Sequence, residues 1–248
     1  MSAINLSKLN ETAAERIKPF LNEILAGYQD MIHSIYVTGT AITDDFDQKR
    51  SDVNSIFVLK EMDLKFLELI APLGKKYGKH KVAAPLIMTP FYIESSLDVF
   101  PIEFLNFKLI HQNVFGTDIL KDLEISLNDL RHQCEREIKS KLIWLRQGYI
   151  SSQGDKKLLA EGLADSITGY IPLFRGIIVL LGKEAPVKQS SVIRSLADAS
   201  GINTDIFAKV LAEKHEKAKH SSEELNAIFK DYYKATEELG RIIDAAIV

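Results

Sequence analysis

The sequence predicts an α/β (α+β) domain built on a mixed sheet, followed by an all-α helical bundle. Three observations carry that expectation. Residues 1–120 hold short β-rich runs broken by Gly, Pro and Asp. From Asn128 onward apolar residues recur at spacings of three and four, the period of a helix with one buried face. No segment repeats at a fixed period and none is of low complexity, so an array or a disordered tail is not expected. The domains are placed at residues 1–125 and 126–248.

In chain order, residues 11–28 predict a helix on the stripe Ile17, Phe20, Leu21 and Ile24. Strands are expected over 34–37, 55–59, 82–88 and 97–104, with further helices over 63–77 and 107–114. Helices mixed with short strands give an α/β or α+β layer. Asn128 or Asp129 then caps a helix whose stripe is Leu130, Cys134, Ile138, Leu142, Leu145 and Tyr149. Gly154-Asp155 separates it from a second helix running toward Leu181. Pro172 should kink or interrupt that helix, since it lacks an N–H and its ring clashes with the preceding turn. Gly201 stops a third helix. Ser221 and Glu224 have the spacing of a capping box that opens the last one. Helices with one apolar face each must bury those faces against one another, hence a bundle.

Composition excludes several functions. With 46% hydrophobic and 26% charged residues the chain has globular usage. A net charge of −3 argues against a general nucleic-acid binder, which carries a basic surplus. Cys134 is the only cysteine and cannot form an intramolecular disulfide, which fits a reducing, cytoplasmic setting. The longest apolar run, 176–182, is far short of the roughly 20 residues that cross a bilayer, so no membrane partner is expected.

No phosphate-binding GxxxxGK[ST] loop, GxGxxG or HExxH occurs, and the six His residues do not pair at metal-ligand spacing. One segment differs. Residues 35–40 read Ile-Tyr-Val-Thr-Gly-Thr, and after a polar excursion residues 51–59 read Ser-Asp-Val-Asn-Ser-Ile-Phe-Val-Leu. This is a strand ending in a glycine turn, then a second strand with polar residues at its start. Asp52 and Asn54, two apart, project from one face. Gly39 lets backbone approach a ligand closely, and Thr40 adds a hydroxyl and an N–H. Asp98 is an acid inside an apolar strand pattern, which costs free energy unless it is paired or bound to a cation. Singly, each has a plainer reading: a turn, a cap, a paired acid.

Taken in order, these residues resemble the nucleotidyltransferase superfamily, the DNA polymerase β-like fold. That family has an hG[GS] turn, an S-D-h-D-h strand and a third carboxylate on a later strand. Gly39-Thr40 matches the turn, Ser51-Asp52 opens the strand motif, and Asp98 is the match to the third acid. The likeness covers residues 30–120; the helical second half is similar in architecture to the kanamycin nucleotidyltransferase-like and minimal nucleotidyltransferase branches. The resemblance implies transfer of a nucleoside monophosphate from an NTP–Mg²⁺ complex to a hydroxyl of a small-molecule or protein acceptor. Asp52 and Asp98 would be the catalytic acids, Asp98 helping to deprotonate the nucleophile. Asp52, Asn54 and Asp98 would hold the metal, and Gly39, Thr40 and Ser51 the nucleotide. Relatives of this architecture often work as dimers, so the resemblance also implies a homodimer. The chain departs from the family at Asn54, where the second carboxylate belongs. An amide oxygen coordinates Mg²⁺ without supplying charge, and Mg²⁺ prefers anionic oxygens. The alternative is therefore a catalytically impaired relative that binds a nucleotide or a partner. A third reading is a scaffold whose bundle dimerises.

Overall fold

The structure, a computed structural model, describes residues 4–216 and 220–246. The chain divides into two units, Met1–Leu97 with Phe104–Glu124, and Asp98–Glu103 with Ile125–Val248.

In the first unit, α1 (Glu11–Tyr28) starts at Asn10, whose side chain accepts from the Thr12 N–H. The strands are β1 (Ile32–Thr38), β2 (Asn54–Leu59), β3 (Leu86–Met88) and β4 (His111–Gly116). Between them lie α2 (Leu64–Gly78), α3 (Pro90–Glu94) and α4 (Pro101–Leu109), the first three residues of α4 falling in the second unit. The sheet order is β3-β2-β1-β4. β1 runs antiparallel to β2 and β4, and β3 runs parallel to β2, so the sheet is mixed. Ile17, Phe20 and Ile24 of α1 and Phe66, Ile70 and Leu73 of α2 pack with Ile35, Val37, Phe57 and Leu59 from the sheet. Phe20 meets Phe57 and Tyr77 edge-on, with centroids 6.0 and 5.4 Å away. Each such aromatic removes enough apolar surface from water to contribute about 1.5–3 kcal/mol.

The sheet edge at β4 is covered by the chain's own start. Asn5 N–H donates to the Val114 carbonyl at 2.9 Å, and Gln112 Nε2 donates to the Asn5 carbonyl at 2.8 Å. Gly116 closes this strand at φ +76°; a Cβ there would stand 2.0 Å from the His33 carbonyl oxygen, so β1 and β4 meet only because the side chain is absent.

Two expected elements are corrected. Residues 97–104 are not a strand: the chain turns over 95–99 and enters α4 at Pro101. Proline's fixed φ suits a first helical position, and the buried residues Ile102, Phe104 and Leu105 follow helical rather than alternate spacing. Residues 107–114 are not one helix: α4 ends at Leu109, and 111–116 pair with β1. Buried Gln112 disguised this strand, because its amide is satisfied by Asn5 and by the Lys8 N–H rather than by solvent. β3 is shorter than expected; the lead-in reaches β2 only through the bridge between Val53 and Val82.

The second unit comprises α5 (Leu127–Ser151), α6 (Lys156–Ser166), α7 (Tyr170–Leu180), α8 (Gln189–Ser200), α9 (Asp205–Glu216) and α10 (Ser222–Ala245). Tyr170, Phe174, Phe207 and Tyr232 form its aromatic centre, with centroid separations of 4.8–5.7 Å. A 3-10 turn at Ile167–Gly169 separates α6 from α7, just ahead of Pro172. Pro172 thereby occupies the first turn of α7, where a missing N–H costs no helical bond. Gly201 caps α8 at φ +73°, and Ser221 and Glu224 form the capping box of α10. Lys156–Leu180 is long and apolar enough by composition to cross a membrane, but more than half of its most apolar part is buried inside the protein.

Arg175, buried on α7, donates to the carbonyls of Pro186 (3.0 Å) and Val187 (2.6 Å), fastening the connection to α8. Gly176 lets α7 approach α5: a Cβ there would lie 3.0 Å from Cys134 Sγ. That thiol is buried, which raises its pKa well above the ordinary cysteine value.

Candidate functional site

β1 ends at Thr38 and the backbone turns at Gly39 with φ +75°, a conformation that favours glycine. A 3-10 turn, Gly39–Ile42, follows, and the Ala41 carbonyl accepts from the Asn10 N–H at 2.8 Å. The turn is thus tied to the cap of α1. The polar excursion 43–51 is held by its own side chains. Asp47 Oδ1 accepts from the N–H groups of Lys49 (2.7 Å) and Arg50 (3.2 Å), and Asp47 N–H donates to Ser51 Oγ at 3.0 Å. Arg16 of α1 reaches over to the Gln48 carbonyl at 2.7 Å, with its guanidinium 5.9 Å from the Phe46 ring centroid.

The chain then enters β2. Asp52 is exposed, Val53 is buried and Asn54 is exposed, the alternation expected of a strand with one face inward. Asn54 pairs with Thr38, and a Cβ on Gly39 would come 3.6 Å from Asn54 Nδ2. Gly39, Thr40, Ser51, Asp52 and Asn54 are therefore gathered at one end of β1 and β2. Ser51 has a plainer employment as well, since its hydroxyl staples the excursion.

Asp98 is not on a neighbouring strand. It lies in the turn before α4, in the segment that belongs to the helical unit, and the expectation of three acidic or amide ligands on adjacent strands is corrected. Nor does another sheet residue take its place. The lead-in and strand over 82–88 read Val-Ala-Ala-Pro-Leu-Ile-Met, and β4 reads His-Gln-Asn-Val-Phe-Gly. Among the described residues no group of three or more His, Cys, Asp or Glu side chains is placed to hold a metal ion. A pair of Mg²⁺ ions does not fit this donor set: one carboxylate and one amide leave most of their charge uncompensated.

His111 was hidden by the helical reading of 107–114. It stands opposite Thr38 on β4, in the same row as Asn54. Both its ring nitrogens are engaged: Nδ1 meets the Phe107 carbonyl at 2.7 Å and Nε2 meets Asp118 at 3.2 Å. It fastens β4 rather than facing a ligand. Tyr36, two residues before Thr38, does likewise; its hydroxyl donates to the Thr117 carbonyl and accepts from the Ile119 N–H, and burial raises its pKa. Arg16 had no signal in the local sequence, because its partner lies 32 residues away.

Among solved structures, the chain is similar to spectinomycin adenyltransferase AAD(9) from Enterococcus faecialis, solved with ATP and spectinomycin. The two superpose with a TM-score of 0.53 over 90% of this chain and 99% of that one. The chain has a nucleotidyltransferase fold. At 13% identity the likeness is one of fold alone. No family model and no curated protein matches the sequence. Within that nucleotidyltransferase fold, the glycine turn and the start of β2 carry Gly39, Asp52 and Asn54, and the remaining strands carry no acid.

Proposed function

We propose that this protein is a nucleotidyltransferase-fold binding module: it takes a nucleotide at the Gly39 turn and does not transfer it. The observation that carries the reading is the absence of any carboxylate on β3 and its lead-in, the stretch parallel to Asp52 and Asn54. Two-metal transfer needs anionic oxygens to hold both ions and a base to take the acceptor's proton. Asp52 alone supplies neither a pair of ion sites nor a second acid. Binding makes smaller demands: a turn that backbone can present to phosphates, and one carboxylate with an amide beside it for a single cation.

Calorimetric titration with ATP, with and without Mg²⁺, beside a pyrophosphate-release assay, tests the proposal. Saturable binding that Asp52→Ala weakens, with no pyrophosphate formed, is the expected result. Pyrophosphate release that disappears in Asp52→Ala overturns it and favours the second reading, an active transferase with a small-molecule hydroxyl acceptor. What favours that second reading is the neighbour's own pair of ligands, ATP and spectinomycin.

A further inference from the structure

The helical unit contains a pocket of about 390 Å³ between α5, α6, α7 and α10. Its walls are apolar: Trp144 and Leu158 stand 66% and 53% exposed at its mouth, and Phe229, stacked on Tyr149 at 4.5 Å between centroids, forms a side. Two glycines make the space. A Cβ on Gly148 of α5 or Gly162 of α6 would meet nothing within 4 Å, so neither glycine is required by helix packing. Glycine inside a helix is destabilising relative to alanine, and here the return for it is open volume.

One cation lies within this apolar lining. Lys141 Nζ sits 4.6 Å from the Tyr170 ring centroid, held by the ring's negative face. The side chain is largely withdrawn from water, and burial lowers its pKa while Glu137 opposes that shift. Glu137, one turn earlier on α5, is 3.6 Å from Arg136. Lys141 forms no ion pair among the described residues. The other charge on the lining is Asp165, exposed at the rim. An ammonium group held away from water gains most from an anion that brings its own apolar body. Asp165 repels a second negative charge near the surface and so disfavours polyanions such as nucleotides.

The geometry points to a second ligand site here, separate from the glycine turn: a pocket for a small organic monoanion, its carboxylate on Lys141 and its flat or short aliphatic body between Trp144, Leu158 and Phe229. The probes are 2-naphthoate and its neutral isostere 2-naphthamide, titrated calorimetrically into the full chain. Naphthoate should bind at least tenfold more tightly than the amide. Lys141→Met, which keeps the apolar stem, should remove that preference while changing amide binding less than twofold. Gly162→Leu, which fills the open space, should abolish binding of both, with melting curves verifying that each variant is folded. Equal binding of acid and amide to the wild type, or unchanged naphthoate affinity in folded Lys141→Met, overturns the proposal. Binding of neither also overturns it, and a dimer in sedimentation that Trp144→Glu dissociates would then assign the face to a second copy.

Discussion

Asn54→Asp places a second carboxylate at the start of β2, and its consequences follow from the strand's geometry. Residues two apart on a strand lie about 6.7 Å from one another on the same face. Two unit charges at that separation repel by about 0.6 kcal/mol in water and about 1.2 kcal/mol where the local dielectric is halved. Asp52 and Asn54 are both exposed, and physiological salt screens beyond about 8 Å, so the lower figure governs. The apo variant should therefore lose about 0.5 kcal/mol in urea denaturation. Millimolar Mg²⁺ should restore that loss in the variant and stabilise the wild type less, and Mg²⁺-dependent ATP binding should tighten by about five- to tenfold, about 1–1.4 kcal/mol. Pyrophosphate release should remain absent, because β3 and β4 still carry no acid. Indifference of the variant to Mg²⁺ in both measurements would refute the placement of Asp52 and residue 54 as joint ligands. Turnover by the variant would refute the claim that a third acid is missing.

Gly116→Ala should destabilise the first unit by about 3 kcal/mol or more in denaturant titration, since its Cβ would clash with the His33 carbonyl and the neighbouring backbone; a loss below about 1 kcal/mol would contradict the packing of β1 on β4. Arg175→Met should cost about 1.5–3 kcal/mol and raise amide exchange across 183–188, because the Pro186 and Val187 carbonyls lose the buried, charged donor that fastens them. Ser221→Ala should cost about 1 kcal/mol at neutral pH. The Ser221 N–H and hydroxyl hold the Glu224 carboxyl below its usual range, so this contribution is present above the ordinary carboxylate pKa and is lost as the pH falls through the lowered value. The gap between Ser221→Ala and wild type, followed by melting curves, should narrow in acid.

Features specified by local chemistry were legible in the sequence. Gly39 announced a turn because little else adopts its φ, Pro172 announced a break because it cannot donate, and Ser221 and Glu224 announced a helix start because their spacing satisfies two N–H groups. The alternation around Val53 puts Asp52 and Asn54 on one side, which the sequence alone shows. What was not legible depended on distant partners. Gln112 is polar yet buried, satisfied by residues more than a hundred positions away, so a strand read as a helix. Residues 97–104 carry apolar side chains at spacings that fit either period, and only Pro101 marked the helix start. The strand placement of Asp98 followed from that ambiguity: an acid in an exposed turn needs no partner, whereas an acid on a buried strand must be paired or bound to a cation.

The contact of Gly176 with Cys134 turns the chain's only thiol into a reporter of its own burial. Sγ is shielded where α7 crosses α5 without a side chain between them, so a thiol reagent reaches it only when those two helices part. With a single cysteine, the labelling curve has one origin and needs no deconvolution. When closing outruns modification, the observed rate divided by that of a free thiol gives the fraction of molecules in which the α5–α7 seam stands open, the same relation that governs amide exchange. The raised pKa adds a second handle, since an open molecule regains an ordinary thiol and its labelling follows the pH dependence of an exposed one. The bundle thus carries an intrinsic clock for its own breathing, readable under native conditions.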